Sequence, residues 1–307
     1  MPLADIAAEI AATIQRDARD IEHAADAKIA GLEPGPFGMA IAMADGSLIR
    51  AGSADTVFPI QSISKVFALS LAIEKIGDPL FKRVGREPSG DPFNSVIDLE
   101  RTCGVPRNPF INAGALVIVD MLVEHFGDRA KDAVLNLVRD GIDDTAAKSA
   151  VALDKDVLEE GGDLNRAMLH FMVHHDNIRS PIDAIMDAYA RQCAVAVDCV
   201  GLAQAGRYLA DTRISANTAD RAKRMRTILA LMMTCGHYDG SGDFAVRVGL
   251  PAKSGVGGGI LAIAPGIASI AVWSPNLDQH GNSMLGVRAL EMLNARTGWS
   301  VFGPPIS

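Results

Sequence analysis

The first apolar residues of the chain, Leu3, Ile6, Ile10, Ile14 and Ile21, recur at helical spacing with polar and charged residues between them. That period predicts an amphipathic helix. The pattern changes in "FGMAIAMADGSLIRAG" (37–52), where two apolar runs flank Asp45 and Gly46. This stretch reads as a β-hairpin, because an Asp-Gly pair readily takes the backbone a tight hairpin turn needs. From residue 62 to about 235 the periods are mostly helical, for example over 65–76, 113–126, 167–173, 180–194, 200–209 and 221–233. Strands return in "GGILAIAPGIASIAVW", two apolar runs around Pro265 and Gly266, and 283–296 closes as a helix. β at both ends and α between them predicts an α/β plus α fold. Its antiparallel sheet is built from both termini with flanking helices, and a helical domain is inserted. The expected boundaries are a discontinuous α/β domain at 1–61 and 236–307 and a helical domain at 62–235. No internal repeat or low-complexity linker interrupts this layout.

Composition narrows the picture. At 307 residues, 49% of them apolar and 21% charged, the chain can bury a sizeable core without disulfides or metals. A net charge of −8 argues against nucleic acid or an anionic membrane as a partner. The runs "ALVIVDMLV" and "ILALMM" are too short to span a bilayer. The first residues lack the basic opening and continuous apolar core of a signal peptide. A soluble, cytoplasmic protein is expected. Cys103, Cys193, Cys199 and Cys235 form no C-x-x-C and lie in apolar stretches, so they are expected as buried thiols in a reducing compartment.

Chemistry enters at "FPIQSISKVFAL" (58–69). Ser62 and Lys65, three apart at the head of a helical run, share a face, whereas Ser64 points elsewhere. A nucleophilic Ser needs a base, and a Lys serves only when neutral. Lowering its pKa from about 10.4 to ~7 takes roughly 4–5 kcal/mol of environmental push, part of it from burial and part from the positive end of a helix. The same four residues fit ordinary helix-start chemistry, with Ser as a cap. A second element is "LPAKSGVGGGI" (250–260), where Lys253-Ser254-Gly255 precedes a glycine cluster and a strand. It matches the K-[ST]-G element that accompanies S-x-x-K in penicillin-recognising enzymes. Neither phosphate-binding glycine pattern can be placed there. His170, His174 and His175 in "HFMVHHD" lack the Glu of H-E-x-x-H, so they read as partly exposed helix residues and no metal is expected. The charge-rich "DGIDDTAAKSAVALDKD" lacks the ligand spacing of a calcium loop and reads as a solvated loop.

Taken together with "VGREPSGDPFNS", "RNPFINAGAL", "CGHYDGSGDFA" and "WSPNLDQHGNS", these stretches make the chain resemble the serine-dependent glutaminases over roughly residues 25–300. That family belongs to the β-lactamase and penicillin-binding fold group. The resemblance implies hydrolysis of the side-chain amide of L-glutamine to L-glutamate and ammonia through a Ser62 acyl-enzyme. Lys65 would be the base and Tyr238 a proton shuttle. The backbone N–H groups of Ser62 and Val256 would form the oxyanion hole. Asn112, Asn165 and Tyr189 would hold the amino-acid end of the substrate. No cofactor is implied, and a homo-oligomer, dimer or tetramer, is.

Two positions depart from the family pattern. Ala27 stands about where the family has a substrate-contacting Tyr. Leu158 falls where the family has a Glu for the substrate ammonium, and Leu164 replaces the Arg before the Asn at 165. Glu159, or its neighbour Glu160, takes that role if the loop is one or two residues shorter. A lost charge-assisted hydrogen bond costs about 1.5–3 kcal/mol. A binding protein or a substrate-shifted enzyme of the same fold is therefore a second reading, and a β-lactam-directed serine hydrolase a third.

Overall fold

The computed structural model describes residues 1–26, 28, 33–90, 94–212 and 219–303. Ala27, where the family Tyr was expected, lies outside the described residues. Helix α1 (Leu3–Ala25) follows the predicted stripe, with Ile6, Ile10 and Ile14 buried and Glu9, Gln15 and Arg16 outside. Strands β1 (Gly38–Met43) and β2 (Leu48–Gly52) form the expected hairpin, with Ile41 opposite Ile49 and Gly46 turning at φ +92°. After β3 (Phe58–Pro59) a short 3₁₀ turn, Gln61–Ile63, leads into α2 (Ser64–Ile76). Helices α3 (Ile97–Arg101), α4 (Asn112–Phe126), α5 (Ala130–Asp140) and α6 (Thr145–Ala150) precede β4 (Ala152–Leu153). Then come α7 (Lys155–Glu159), α8 (Asp163–His174), α9 (Ile182–Cys193), β5 (Val195–Val197), α10 (Cys199–Ala210) and α11 (Ala219–Cys235). The chain continues through α12 (Ser241–Arg247), β6 (Ala252–Ser254), β7 (Gly259–Ala264), β8 (Ala268–Trp273) and α13 (Met284–Thr297).

The larger sheet has the order β2-β1-β8-β7-β6, with every neighbouring pair antiparallel. Alternate residues of its strands enter two different cores. Met39, Ile41, Ile260 and Ile270 pack with α1 and α13 on one face. Ala40, Ala42, Leu261 and Ile263 join the large core that α10 and the other central helices fill. Burial of both faces explains why β7 and β8 read as unbroken apolar runs and not as alternating ones. Each fully buried Ile or Leu contributes about 1.5–3 kcal/mol by leaving water. Among the described residues no helix is long and apolar enough to cross a membrane.

A second sheet, β3-β5-β4, interrupts the mostly helical middle of the chain. Phe58 pairs with Val197 and Ala152 with Ala196, both antiparallel. This small sheet anchors the segment that carries Ser62. Two expectations need correction. The charge-rich stretch is not a loop: Asp144 accepts from the Ala147 N–H and Asp154 from the Val157 N–H, so two of its carboxylates cap the short helices α6 and α7. Cys103 is exposed, whereas the other three cysteines are buried as expected.

Candidate active site

Strand β3 fixes the approach to Ser62. The Ile60 N–H donates to the Val195 carbonyl at 2.8 Å, and Gln61 then turns through a left-handed conformation at φ +47°. Ser62 emerges on the 3₁₀ turn that runs into α2, with 8% of its surface exposed, at the positive end of the helix. Lys65 lies one turn further on and is 1% exposed. Its Nζ donates to Asn112 Oδ1 at 2.7 Å and to the Phe110 carbonyl at 3.2 Å. Neither acceptor carries charge. Burial therefore dominates and lowers the pKa of Lys65 to about 8, with the nearby Cys193 thiol acting weakly the other way.

Asn112, the first residue of α4, ties that helix to three others, beginning with α2 through Lys65. Its Oδ1 also accepts from the Tyr189 hydroxyl of α9 at 3.3 Å, and its Nδ2 donates to Asn165 Oδ1 of α8 at 3.3 Å. Burial raises the Tyr189 phenol well above its ordinary range. Tyr238 approaches from the opposite side, on a short turn with φ +53°. Its hydroxyl donates to the Ser254 carbonyl at 3.3 Å and shares a hydrogen bond with Ser62. Burial pushes this phenol up to about 12, and the bond to Ser62 opposes the shift.

The glycine cluster after Ser254 exists for close approach. A Cβ on Gly255 would stand 2.6 Å from the Ile60 carbonyl oxygen, and one on Gly257 would collide with the Pro59 carbonyl. A Cβ on Gly259 would strike the Phe58 ring. Only glycines let the turn between β6 and β7 lie flat against β3 and the Ser62 elbow. Val256, 41% exposed, sits on that turn.

A cavity of about 360 Å³ opens between these elements. Ser62, Asn112, Asn165, Tyr189 and Val256 all line it, joined by Gln61, Glu160 and Cys193. Lys65 stands behind the wall, held by Asn112, and Tyr238 holds Ser62 from its far side. The sequence singled out every one of these except Gln61 and Cys193. Glu159 is not among the lining residues; its neighbour Glu160, just past the end of α7, takes the place instead. Lys253 was visible within the K-S-G stretch but carried no role. It is fully buried on β6 and donates to the Ser254 carbonyl at 2.5 Å. Among the described residues no group of three or more His, Cys, Asp or Glu could hold a metal ion.

Such a cavity, with a hydroxyl on its wall and a buried amine of lowered pKa behind it, can carry out acyl transfer. A family model described as Glutaminase matches residues 25–302. The glutaminase of Azorhizobium caulinodans is 52% identical over 311 residues, covering 98% of either chain. Among solved structures, a Bacillus glutaminase superposes with a TM-score of 0.77 at 30% identity, covering 94% of this chain and 99% of that one. The Bacillus subtilis glutaminase YbgJ, solved as a covalent complex with 5-oxo-L-norleucine formed from 6-diazo-5-oxo-L-norleucine, superposes with a TM-score of 0.76 at 26% identity, covering 96% of this chain and 98% of that one.

Proposed function

The chain belongs to the glutaminase family, and from that premise we propose that it hydrolyses the side-chain amide of L-glutamine through an ester on Ser62, with Lys65 as the base. The observation that carries the mechanism is the state of Lys65. It is a fully buried amine three residues after Ser62, bound only by neutral acceptors, with its pKa lowered to about 8. About a tenth of such amines are unprotonated at pH 7, against fewer than one in a thousand at the ordinary value.

In the first half-reaction Ser62 Oγ bonds to the amide carbon as its proton passes to Lys65 Nζ. The carbonyl oxygen becomes an oxyanion, for which the N–H groups of Ser62 and Val256 are the donors. Its collapse breaks the C–N bond, and the nitrogen takes a proton relayed from Lys65 or Tyr238 and leaves as ammonia. Water then attacks the ester, gives up a proton to the same base, and releases glutamate with the Ser62 hydroxyl restored. Loss of one oxyanion donor typically costs about 10²–10³ in rate.

Asn112, Asn165 and Tyr189 fit the amino-acid end of the substrate, since all three are polar residues that line the cavity. Glu160 replaces Glu159 in the role of ammonium partner, because it is the carboxylate on that wall. The architecture supports the finer fold reading, β-lactamase-like. Its α/β part takes in 1–61 and 236–307, and its helical part 62–235. A cytoplasmic homo-oligomer, dimer or tetramer, goes with the same proposal.

The test is glutamate release from L-glutamine by the wild type and Ser62→Ala, together with intact mass after exposure to 6-diazo-5-oxo-L-norleucine. Turnover and a covalent adduct are expected for the wild type and neither for the variant. Undiminished turnover by Ser62→Ala would sink the proposal.

A further inference from the structure

The mechanism above leaves one buried amine without a task. Lys253 is fully buried, and no carboxylate pairs with it among the described residues. Burying an unpaired amine is destabilising, and a Met of similar length would fill the same space without that penalty. Filling space does not account for it.

Its contacts point to Tyr238. Lys253 Nζ lies 4.3 Å from the centroid of the Tyr238 ring, over its face. The same nitrogen donates to the Ser254 carbonyl at 2.5 Å, and that oxygen also accepts from the Tyr238 hydroxyl at 3.3 Å. Lysine and tyrosine thus meet on one carbonyl. The amine touches both the ring and the carbonyl that the phenol binds.

Tyr238 needs such a hold. It sits on a three-residue turn with left-handed backbone, a conformation that costs a non-glycine residue about 1–2 kcal/mol. The Ser254 hydroxyl offers no alternative anchor, since its oxygen is buried with no hydrogen-bond partner among the described residues. The carbonyl is the fixed point, and β6 holds it: the Ser254 N–H donates to the Gly236 carbonyl at 3.1 Å.

We propose that Lys253 is a positioning residue for Tyr238, bracketing the phenol between its amine and the Ser254 carbonyl so that the phenol oxygen stays against Ser62. The inference rests on the glutaminase reading above for its kinetic consequence, but not for its geometry. A residue that only stabilised the fold would change melting temperature and leave the chemistry alone. A positioning residue slows the chemical step and does so only through Tyr238.

The experiment combines kinetics with a signal from the tyrosine itself. The chain has three tyrosines, Tyr189, Tyr208 and Tyr238, so ¹³C at the phenol carbon gives three resonances, assignable with Tyr238→Phe. In Lys253→Met the Tyr238 resonance is expected to move while that of Tyr208 stays. With L-glutamine, kcat is expected to fall about tenfold or more with KM within about threefold, and Lys253→Met is expected to add nothing in a Tyr238→Phe background. Lys253→Gln keeps an N–H for the carbonyl, recovers part of the rate, and serves as the test variant if Lys253→Met does not fold. An unmoved Tyr238 resonance, an unchanged kcat, or losses that multiply in the double variant would each overturn the proposal. If the wild type does not turn over glutamine, the functional reading falls instead, and the tyrosine resonance still decides whether Lys253 holds Tyr238.

Discussion

If Lys65 must be neutral to accept the Ser62 proton, kcat/KM should follow its ionisation in the free enzyme. The pKa of about 8 comes from burial against two neutral acceptors, Asn112 Oδ1 and the Phe110 carbonyl. The neutral fraction is then about 1% at pH 6, about 9% at pH 7, half at pH 8 and about 90% at pH 9. So kcat/KM should rise about 50-fold between pH 6 and 8 and less than twofold above pH 8. Without burial, the same lysine would give a tenfold rise per pH unit up to about pH 10. The Tyr238 phenol, at about 12, leaves the plateau level through pH 10. Asn112→Asp supplies the internal check. A carboxylate beside Nζ favours the ammonium and should move the rise upward by about 1–3 pH units. Glutamate formation at substrate concentrations far below KM is the assay, because its slope gives kcat/KM directly. A profile flat between pH 6 and 8, or a rise that Asn112→Asp leaves in place, would refute Lys65 as the base.

Three further outcomes follow from particular contacts. Glu160→Gln should raise KM for glutamine by about 10–150-fold with kcat less affected, while Glu159→Gln, outside the cavity, should match the wild type in steady-state kinetics. Lys65→Met should abolish turnover yet melt at or above the wild-type temperature at pH 7. The lowered pKa means that the folded protein bears a cost of about 3 kcal/mol for the buried ammonium, fully present below pH 8 and relieved as pH rises toward 10.5, and only part of it is offset by the two lost hydrogen bonds. Gly257→Ala should lose both stability and activity, because its Cβ meets the Pro59 carbonyl of β3; wild-type melting and turnover in that variant would contradict the close approach.

Much of the fold was legible because long elements leave long periods. The N-terminal helix, the hairpin and the paired apolar runs of β7 and β8 each repeat their pattern over a dozen residues or more. The β3-β5-β4 sheet was not legible. Its strands are two or three residues long, and its pairing joins Phe58 to Val197, so neither period nor proximity in sequence announces it. The 140–156 stretch misled for a related reason: its charge density spoke for solvent, but the carboxylates at 144 and 154 sit where helix starts need acceptors. At the site, Ser62 and Lys65 stood out from a spacing tied to one helix start, whereas Tyr238 and Val256 were indicated only by the family resemblance. The choice between Glu159 and Glu160 hangs on where a short helix ends, which spacing alone does not reveal. Lys253 stood in plain view in the K-S-G stretch, but its role depends on a ring from 15 residues upstream lying beneath its amine.

The residues around Ser62 break local rules together, and that is what makes them a site. Gln61 and Tyr238 hold left-handed backbone without being glycine, at about 1–2 kcal/mol each. Lys65 and Lys253 are buried with no carboxylate partner among the described residues, and burial lowers the pKa of both. Gln61 and Lys65 flank Ser62 in sequence, while Tyr238 bonds to Ser62 from a separate part of the chain and Lys253 lies over the Tyr238 ring. The two cores on either side of the large sheet can absorb such costs, since each is built from many fully buried aliphatic side chains. The glycines at 255, 257 and 259 then decide whether the two parts can meet at all. They let the turn that carries Val256 press against β3, so that the strained elbow bearing Ser62 and the strand bearing Lys253 share one wall. Stability is supplied by the cores and given up around Ser62, where the proposed chemistry requires an amine that can lose its proton near neutral pH.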